Sequence, residues 1–238
     1  MAKRPLIGVT LDYQESGSFS KRPHHALRCA YFDAIVAAGG LPAAIPYQSS
    51  VMADYLDRLD GLVVPGGTFA FPDEWYVDTG ERPYKPSPRL AFDMAIIDAA
   101  LRRDMPVLGI CAGMQELAAH AGAKMVRNVH AMNGKSIDHL NERPAEEFAH
   151  EVAVAPGNRL ASIVGAGALP VNTAHVEAVV EPPADLRVTA LAPDGVIEAI
   201  ELPRHRFAIG VQWHPEFFRE KGSPHRALFE ALVAESGR

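Results

Sequence analysis

The residues best suited to covalent chemistry begin with Cys111, in the run Pro106-Val107-Leu108-Gly109-Ile110-Cys111-Ala112-Gly113-Met114-Gln115-Glu116-Leu117. Apolar positions around Gly109 predict a buried strand, and Met114 to Ala119 is a good helix former, so the cysteine falls at a sharp turn between them. A thiol at a helix N-terminus meets unpaired N–H groups and the positive end of the helix dipole, which favour thiolate over thiol. The same N–H groups can stabilise an oxyanion. This is the cysteine version of the nucleophile elbow, whose serine form is G-x-S-x-G, with Gly113 relieving crowding just past the turn. Taken alone, Cys111 reads equally well as a buried structural thiol.

A thiol nucleophile needs a base, and the base needs an acceptor to orient it. Far downstream, Phe207 to Trp213 reads as a strand, and His214-Pro215-Glu216 follows it. Two residues apart at near-extended geometry, His214 and Glu216 can point the same way, and Pro215 stiffens the link. The pattern predicts a Cys-His-Glu triad, with Cys111 as nucleophile, His214 as base and Glu216 as its orienting carboxylate.

The elements that must position these residues alternate along the first half of the chain. Leu6 to Leu11 predicts a strand and residues 12–23 a polar loop. His24 to Ala38 predicts a helix, with Leu27, Ala30, Tyr31, Ala34, Ile35 and Ala38 on one face and Gly39 closing it; Cys29, on that helix, reads as core filling. A strand over Leu41 to Ile45, a short helix around Ala53 to Leu59 and a strand over Gly61 to Val64 come next. Ser87 to Arg103 is an amphipathic helix with Pro88 near its start and Arg102-Arg103 at its end. Such alternation predicts an α/β fold with a parallel, doubly wound sheet. Sites in these sheets lie at the carboxyl ends of strands, where both Cys111 and Gly66-Gly67 fall. After residue 148 short strand-like runs dominate, at 151–154, 169–172, 177–180, 187–191, 196–202 and 207–213. Pro156-Gly157, Pro182-Pro183 and Asp194-Gly195 punctuate them. They are expected as antiparallel extensions of the same sheet, so that residues 1–238 form one domain. Ser223-Pro224 opens a last helix running to about Glu235.

Gly109-Ile110-Cys111-Ala112-Gly113-Met114-Gln115 and Gly210-Val211-Gln212-Trp213-His214-Pro215-Glu216 resemble the two signatures of class I glutamine amidotransferase domains, and Asp60 to Gly67 resembles their oxyanion loop. Within that superfamily the chain most resembles the γ-glutamyl-γ-aminobutyrate hydrolase branch, the stand-alone C26-type peptidases. Pro5-Leu6-Ile7-Gly8-Val9-Thr10, Ala38-Gly39-Gly40-Leu41-Pro42 and Ala192 to Ala199 carry that likeness. The resemblance implies a flavodoxin-like sheet and a hydrolase that cleaves γ-glutamyl amides through a thioester. It places the oxyanion hole at the N–H groups of Gly67 and Ala112, next to Gly66. It implies that Gln115 holds the glutamyl group and that Asn172-Thr173-Ala174-His175 cradles the substrate's α-amino and carboxylate groups. The chain departs from the branch at Ala112, where relatives often carry arginine, and at Glu177, where they often carry glutamine.

Phe69, Phe71, Trp75, Tyr76 and Tyr84 lie in the stretch 69–86, directly after the oxyanion loop, and are expected to form a lid over a leaving group larger than ammonia. Residues 130–147, with His130, Asn133, Asp138, His139 and Glu142, are expected on the opposite rim. They lack the compact Cys/His spacing of a zinc site, so neither a metal nor an organic cofactor is expected. With 23 Lys and Arg against 29 Asp and Glu, the net charge is −6, which leaves no basic footprint for nucleic acid. No apolar run is long enough for a membrane span, and no signal-peptide pattern opens the chain. Two cysteines fit a reducing cytoplasm. The expected partner is a small γ-glutamyl substrate, with a homodimer left open. The competing readings are a glutaminase subunit feeding ammonia to a separate synthase and a non-catalytic binding module of the same fold.

Overall fold

The computed structural model describes residues 3–81, 84–133 and 136–238, apart from the side chains of Met132 and Asn133. In chain order its strands are β1 (Leu6–Thr10), β2 (Asp12–Gln14), β3 (His24–Ala26), β4 (Leu41–Ile45), β5 (Gly61–Val64), β6 (Val107–Ile110), β7 (Lys124–Val126), β8 (His150–Val154), β9 (Gly167–Val171), β10 (Ala178–Glu181), β11 (Arg187–Leu191), β12 (Ile197–Glu201) and β13 (Ala208–Val211). Its α-helices are α1 (Cys29–Ala37), α2 (Met52–Leu56), α3 (Arg89–Arg102), α4 (Ala112–His120), α5 (Val129–Asn133), α6 (Arg159–Val164) and α7 (Pro224–Ser236).

A nine-stranded sheet runs in the order β4-β1-β5-β6-β13-β12-β11-β8-β9. The β4, β1, β5, β6 and β13 strands are parallel, and β12, β11, β8 and β9 extend the sheet antiparallel. Strands β5, β6 and β13 are buried throughout, because helices cover both faces of the parallel half. Side chains alternate across the pleat. Leu62, Val64 and Val107 pack with Phe92 and Ile96 of α3 and with Met114 and Leu117 of α4. Val63, Leu108, Ile110 and Val211 pack on the other side with Tyr31 and Ile35 of α1 and with Leu228 and Leu232 of α7. Among the described residues no helix is long and apolar enough to cross a membrane.

Four expectations need correction. The 207–213 run is not an antiparallel extension: its strand β13 pairs in parallel with β6. Residues 12–26 are not a loop running into a helix. β2 and β3 form an antiparallel pair with Asp12 opposite Ala26, and the helix begins at Cys29. Ring contacts from His25 to Tyr13 (centroids 6.5 Å apart) and to Tyr47 (4.5 Å) hold this pair in a way that helical periodicity cannot reveal. Cys29, as the first residue of α1, is exposed rather than core filling. The 177–180 run does not extend the main sheet: β10 pairs with β7 in a separate two-stranded sheet.

The glycines flanking Cys111 are required by close approach. A Cβ on Gly113 would lie 2.0 Å from the Val64 carbonyl oxygen, and one on Gly109 would lie 2.5 Å from the Gly113 carbonyl oxygen. Helix α4 therefore leaves β6 pressed directly onto the backbone of β5. Gly113→Ala is expected to destabilise the fold by at least about 1–3 kcal/mol, the usual cost of overpacking a rigid site, as read from the midpoint of urea unfolding.

Candidate active site

The neighbouring parallel strands β6 and β13 bring the two sequence motifs together. Ile110 is in register with Val211, and the Cys111 N–H donates to the Val211 carbonyl at 2.8 Å. From there the chain turns into α4 on one side and into a short 3-10 turn, Pro215–Phe217, on the other. Cys111 adopts φ 53° and ψ −108°, a left-handed conformation that costs a non-glycine residue about 1–3 kcal/mol. That turn keeps the thiol at the mouth of the strand instead of carrying it into the helix.

His214 Nδ1 meets Glu216 Oε1 at 2.8 Å. Glu216 is fully buried, and His214 and Cys111 are only 5% and 7% exposed. Burial pushes the His214 pKa down, but the charges of Glu216 and Cys111, and hydrogen bonds to both, more than reverse this and lift it to about 10. The backbone of His214 is clamped as well. Its N–H donates to Asn172 Oδ1 at 2.8 Å, and its carbonyl accepts from Asn172 Nδ2 at 3.1 Å.

The turn at Gly66-Gly67 closes over these side chains. A Cβ on Gly66 would lie 2.8 Å from the His214 ring and 3.3 Å from Cys111 Cβ. A buried guanidinium that sequence reasoning missed fixes this turn. Arg89, fully buried on the first turn of α3, donates from Nη1 to the Gly66 carbonyl at 2.8 Å and from Nη2 to the Pro65 carbonyl. The Gly66 N–H donates to the Tyr31 hydroxyl at 3.0 Å. In a planar trans peptide the N–H lies opposite the preceding C=O, so Arg89, by holding the Gly66 carbonyl, turns the Gly67 N–H to the other side. Asp93 holds Arg89 Nε at 2.7 Å. Burial raises the pKa of both Asp93 and the neighbouring Glu116. The sequence signal for Arg89 was slight: an arginine just after a helix-starting proline, read as an ordinary first turn.

The description of peptidase C26 matches residues 5–216. The chain belongs to the peptidase C26 family. It is 33% identical to the γ-glutamyl-γ-aminobutyrate hydrolase PuuD of Escherichia coli K12, over 96% of this chain and 92% of that protein. It is 30% identical to a glutamine amidotransferase-like protein of Rickettsia prowazekii, over 99% of both. Among solved structures, the glutaminase domain of Trypanosoma brucei CTPS with bound acivicin superposes with a TM-score of 0.62 at 18% identity, covering 97% of this chain and 94% of that one. A glutamine amidotransferase of Thermotoga maritima superposes with a TM-score of 0.59 at 16% identity, over 90% and 77% of the two chains. These likenesses show a glutamine amidotransferase-type fold.

In this C26 chain the other anticipated residues lie beside the turn, largely committed to protein partners. Gln115, one helical turn after Cys111, donates from Nε2 to the Glu177 carbonyl at 2.9 Å and to Gln212 Oε1 at 3.1 Å. Thr173 Oγ1 donates to the His139 carbonyl at 3.0 Å, and the His175 N–H donates to the same oxygen at 2.9 Å. Within 172–175 only Ala174 is exposed. The side chains of Asn172 and Thr173 are thus taken up by protein partners. Ala112 is the first residue of α4 and is 3% exposed; alanine in place of arginine leaves the backbone amide in place.

The stretch 69–86 is a wall rather than a free lid in its first half. Phe69 and Phe71 are buried in the core, and Phe71 stacks on Trp75 at 5.3 Å. Tyr76 bridges to Met125 and donates to Glu177 Oε1, while Arg127 covers its ring at 4.1 Å and bonds Asp73 and Asp78. Burial lifts the Glu177 pKa to about 7 against the opposing pull of Tyr76 and Arg127. Burial and the charges of Glu177 and Cys111 raise the Tyr84 pKa to about 12. Arg82 and Pro83 of this stretch, and Gly134 and Lys135 of the opposite rim, lie outside the described residues, as does the side chain of Asn133.

The folded pKa of His214, about 10, lies above the ordinary histidine value of 6.5. Its contribution to stability is therefore fully present below pH 6.5 and is lost as the pH rises through 10. Cys111→Ala removes one of the two charges that raise this pKa. The unfolding free energy of the wild type is thus expected to fall more steeply than that of Cys111→Ala between pH 6.5 and 10, as measured by denaturant titration.

Proposed function

We propose that this chain is a hydrolase of γ-glutamyl amides, with Cys111, His214 and Glu216 as its catalytic residues. The observation that carries this reading is the meeting of a strained cysteine elbow with a carboxylate-held histidine at the carboxyl ends of two adjacent parallel strands. Membership of the C26 family and likeness to PuuD support the bond type.

Cys111 Sγ attacks the γ-carbonyl carbon with its proton carried by His214. The carbonyl oxygen becomes an oxyanion that accepts from the N–H groups of Gly67 and Ala112, each hydrogen bond helping the transition state more than the ground state. His214 protonates the departing amine, the C–N bond breaks, and a γ-glutamyl thioester remains on Cys111. Water then enters, gives its proton to His214 and attacks the thioester; glutamate leaves and the thiol is restored. Glu216 stabilises the imidazolium in both halves. Arg89, by fixing the Pro65 and Gly66 carbonyls, presets the Gly67 donor before substrate arrives.

Beyond the turn, a cleft of about 450 Å³ lined by Asp12, Gln14, Leu27, Arg28, Tyr31 and Gly67 leaves room for an amine larger than ammonia. Its outer wall is the β2–β3 pair. The backbone of 172–175 and Gln115 hold the glutamyl end on the other side.

The test is glutamate release from a panel comprising γ-glutamyl-γ-aminobutyrate, γ-glutamyl polyamines and free glutamine. Wild type is expected to release glutamate from an amide other than glutamine, and Cys111→Ala is expected to lose at least about 10³-fold in rate. Activity on glutamine alone, or full activity in Cys111→Ala, would contradict the reading.

A further inference from the structure

A second cluster of reactive side chains lies behind the active site and plays no part in the proposed hydrolysis. His139 (between α5 and β8), His150 (first residue of β8), His175 (between β9 and β10) and Glu198 (on β12) converge on one point. Glu198 Oε1 lies 3.4 Å from His139 Nδ1, 3.6 Å from His150 Nε2 and 3.5 Å from His175 Nε2. The side chains of His139 and Glu198 are fully buried, and those of His175 and His150 are 2% and 6% exposed. The three nitrogens lie within ion-pair distance of Glu198, and against the upward push of burial His139 and His175 hold its carboxyl down to about 2, yet at 3.4–3.6 Å none of these five atoms makes a full hydrogen bond among the described residues. Buried polar atoms without full hydrogen bonds are costly, and finding five together calls for a common partner.

The outer nitrogens indicate what kind of partner. His150 Nδ1 is 3.1 Å from the Glu151 carbonyl, and His175 Nδ1 is 2.9 Å from the Glu177 carbonyl. A carbonyl can only accept, so each ring donates outward; in the neutral ring this turns an Nε2 lone pair toward Glu198. His139 Nε2 is held by Asp194 Oδ2 at 3.0 Å. Carboxylates and carbonyls gripping the far nitrogen are the outer shell that orients metal-bound histidines. The spacing agrees. An imidazolium donating directly to a carboxylate would sit about 2.7–2.9 Å away. The observed separations match the edge of a tetrahedron, about 3.3–3.6 Å, around an ion with bonds of about 2.0–2.2 Å. The donor atoms of His139, His150 and Glu198 all lie within 4.8 Å of one another.

We propose that His139 Nδ1, His150 Nε2 and Glu198 bind a divalent transition metal, zinc by the imidazole and carboxylate character of the donors. His175, 3.5 Å from the same Glu198 oxygen, lies outside that group of three and flanks the site. This is a structural site, independent of the hydrolase reading. It joins three chain segments, and its position links it to the active site mechanically: Thr173 and His175 both donate to the His139 carbonyl, and Asn172, next along, clamps the His214 backbone. The Glu198 carbonyl accepts from the Gln212 N–H at 2.7 Å, two residues before His214.

The test uses untagged full-length protein. Elemental analysis is expected to find about one zinc per chain, retained in Cys111→Ala and lost in Glu198→Gln. Protein stripped with a chelator is expected to melt several degrees lower and to recover when zinc chloride is added, and Glu198→Gln is expected not to respond. Wild type that carries no metal and whose stripped form does not shift with zinc chloride would overturn the proposal. An equal zinc response in wild type and Glu198→Gln would overturn it too. The wild-type melt decides the matter even if the variant fails to fold.

Discussion

The site depends on how close helix α4 comes to strand β5. With Gly113 pressed on the Val64 carbonyl, the chain has no room to leave β6 in a relaxed turn, and Cys111 takes up a left-handed conformation that a side chain ordinarily avoids. The strain persists because the surroundings over-determine it. The Cys111 N–H is tied into β13, and the Cys111 carbonyl accepts from the Gln115 N–H as α4 starts. The same constraint fixes where the thiol lies: at the carboxyl edge of the parallel sheet, one strand from His214.

Around that backbone the protein spends buried charge on rigidity. Glu216 holds the His214 ring, Asn172 holds its backbone, and Arg89 holds two consecutive carbonyls of the glycine turn. Each is a charged or amide group without access to water, where losing one partner leaves the other exposed to a full desolvation penalty. Such groups act by excluding other geometries. The geometry of the glycine turn is thus set before any ligand binds, which is the condition for the electrostatic preorganisation that the proposed mechanism requires.

The parallel half of the sheet, the elbow and the His214-Pro215-Glu216 turn were legible in the sequence, since continuous apolar runs, glycine spacing and a helix-forming stretch are local signals. The β2–β3 pair was not, because its stability comes from ring contacts between His25, Tyr13 and Tyr47 that helical spacing at Leu27 to Ala38 masked. Arg89 was invisible as a site residue because its role depends on a turn more than twenty positions earlier. The segment 172–175 was legible only as a stretch of backbone suited to a zwitterion; that the side chains of Asn172 and Thr173 brace His214 and His139 is decided by tertiary packing. His139 and His175 were singled out for the rim and the substrate cradle, but their meeting with His150 at Glu198 was not legible, because the four come from separate segments with no shared spacing.

The account rests on Cys111 forming a covalent bond to the γ-glutamyl group. The most direct measurement is mass spectrometry of the protein quenched in acid during turnover of a γ-glutamyl amide, followed by mapping of any modified peptide. The account predicts a glutamyl adduct on the peptide carrying Cys111, which accumulates during turnover and disappears when substrate is exhausted. Continued turnover with no adduct on that peptide, or an adduct on another residue, would contradict it.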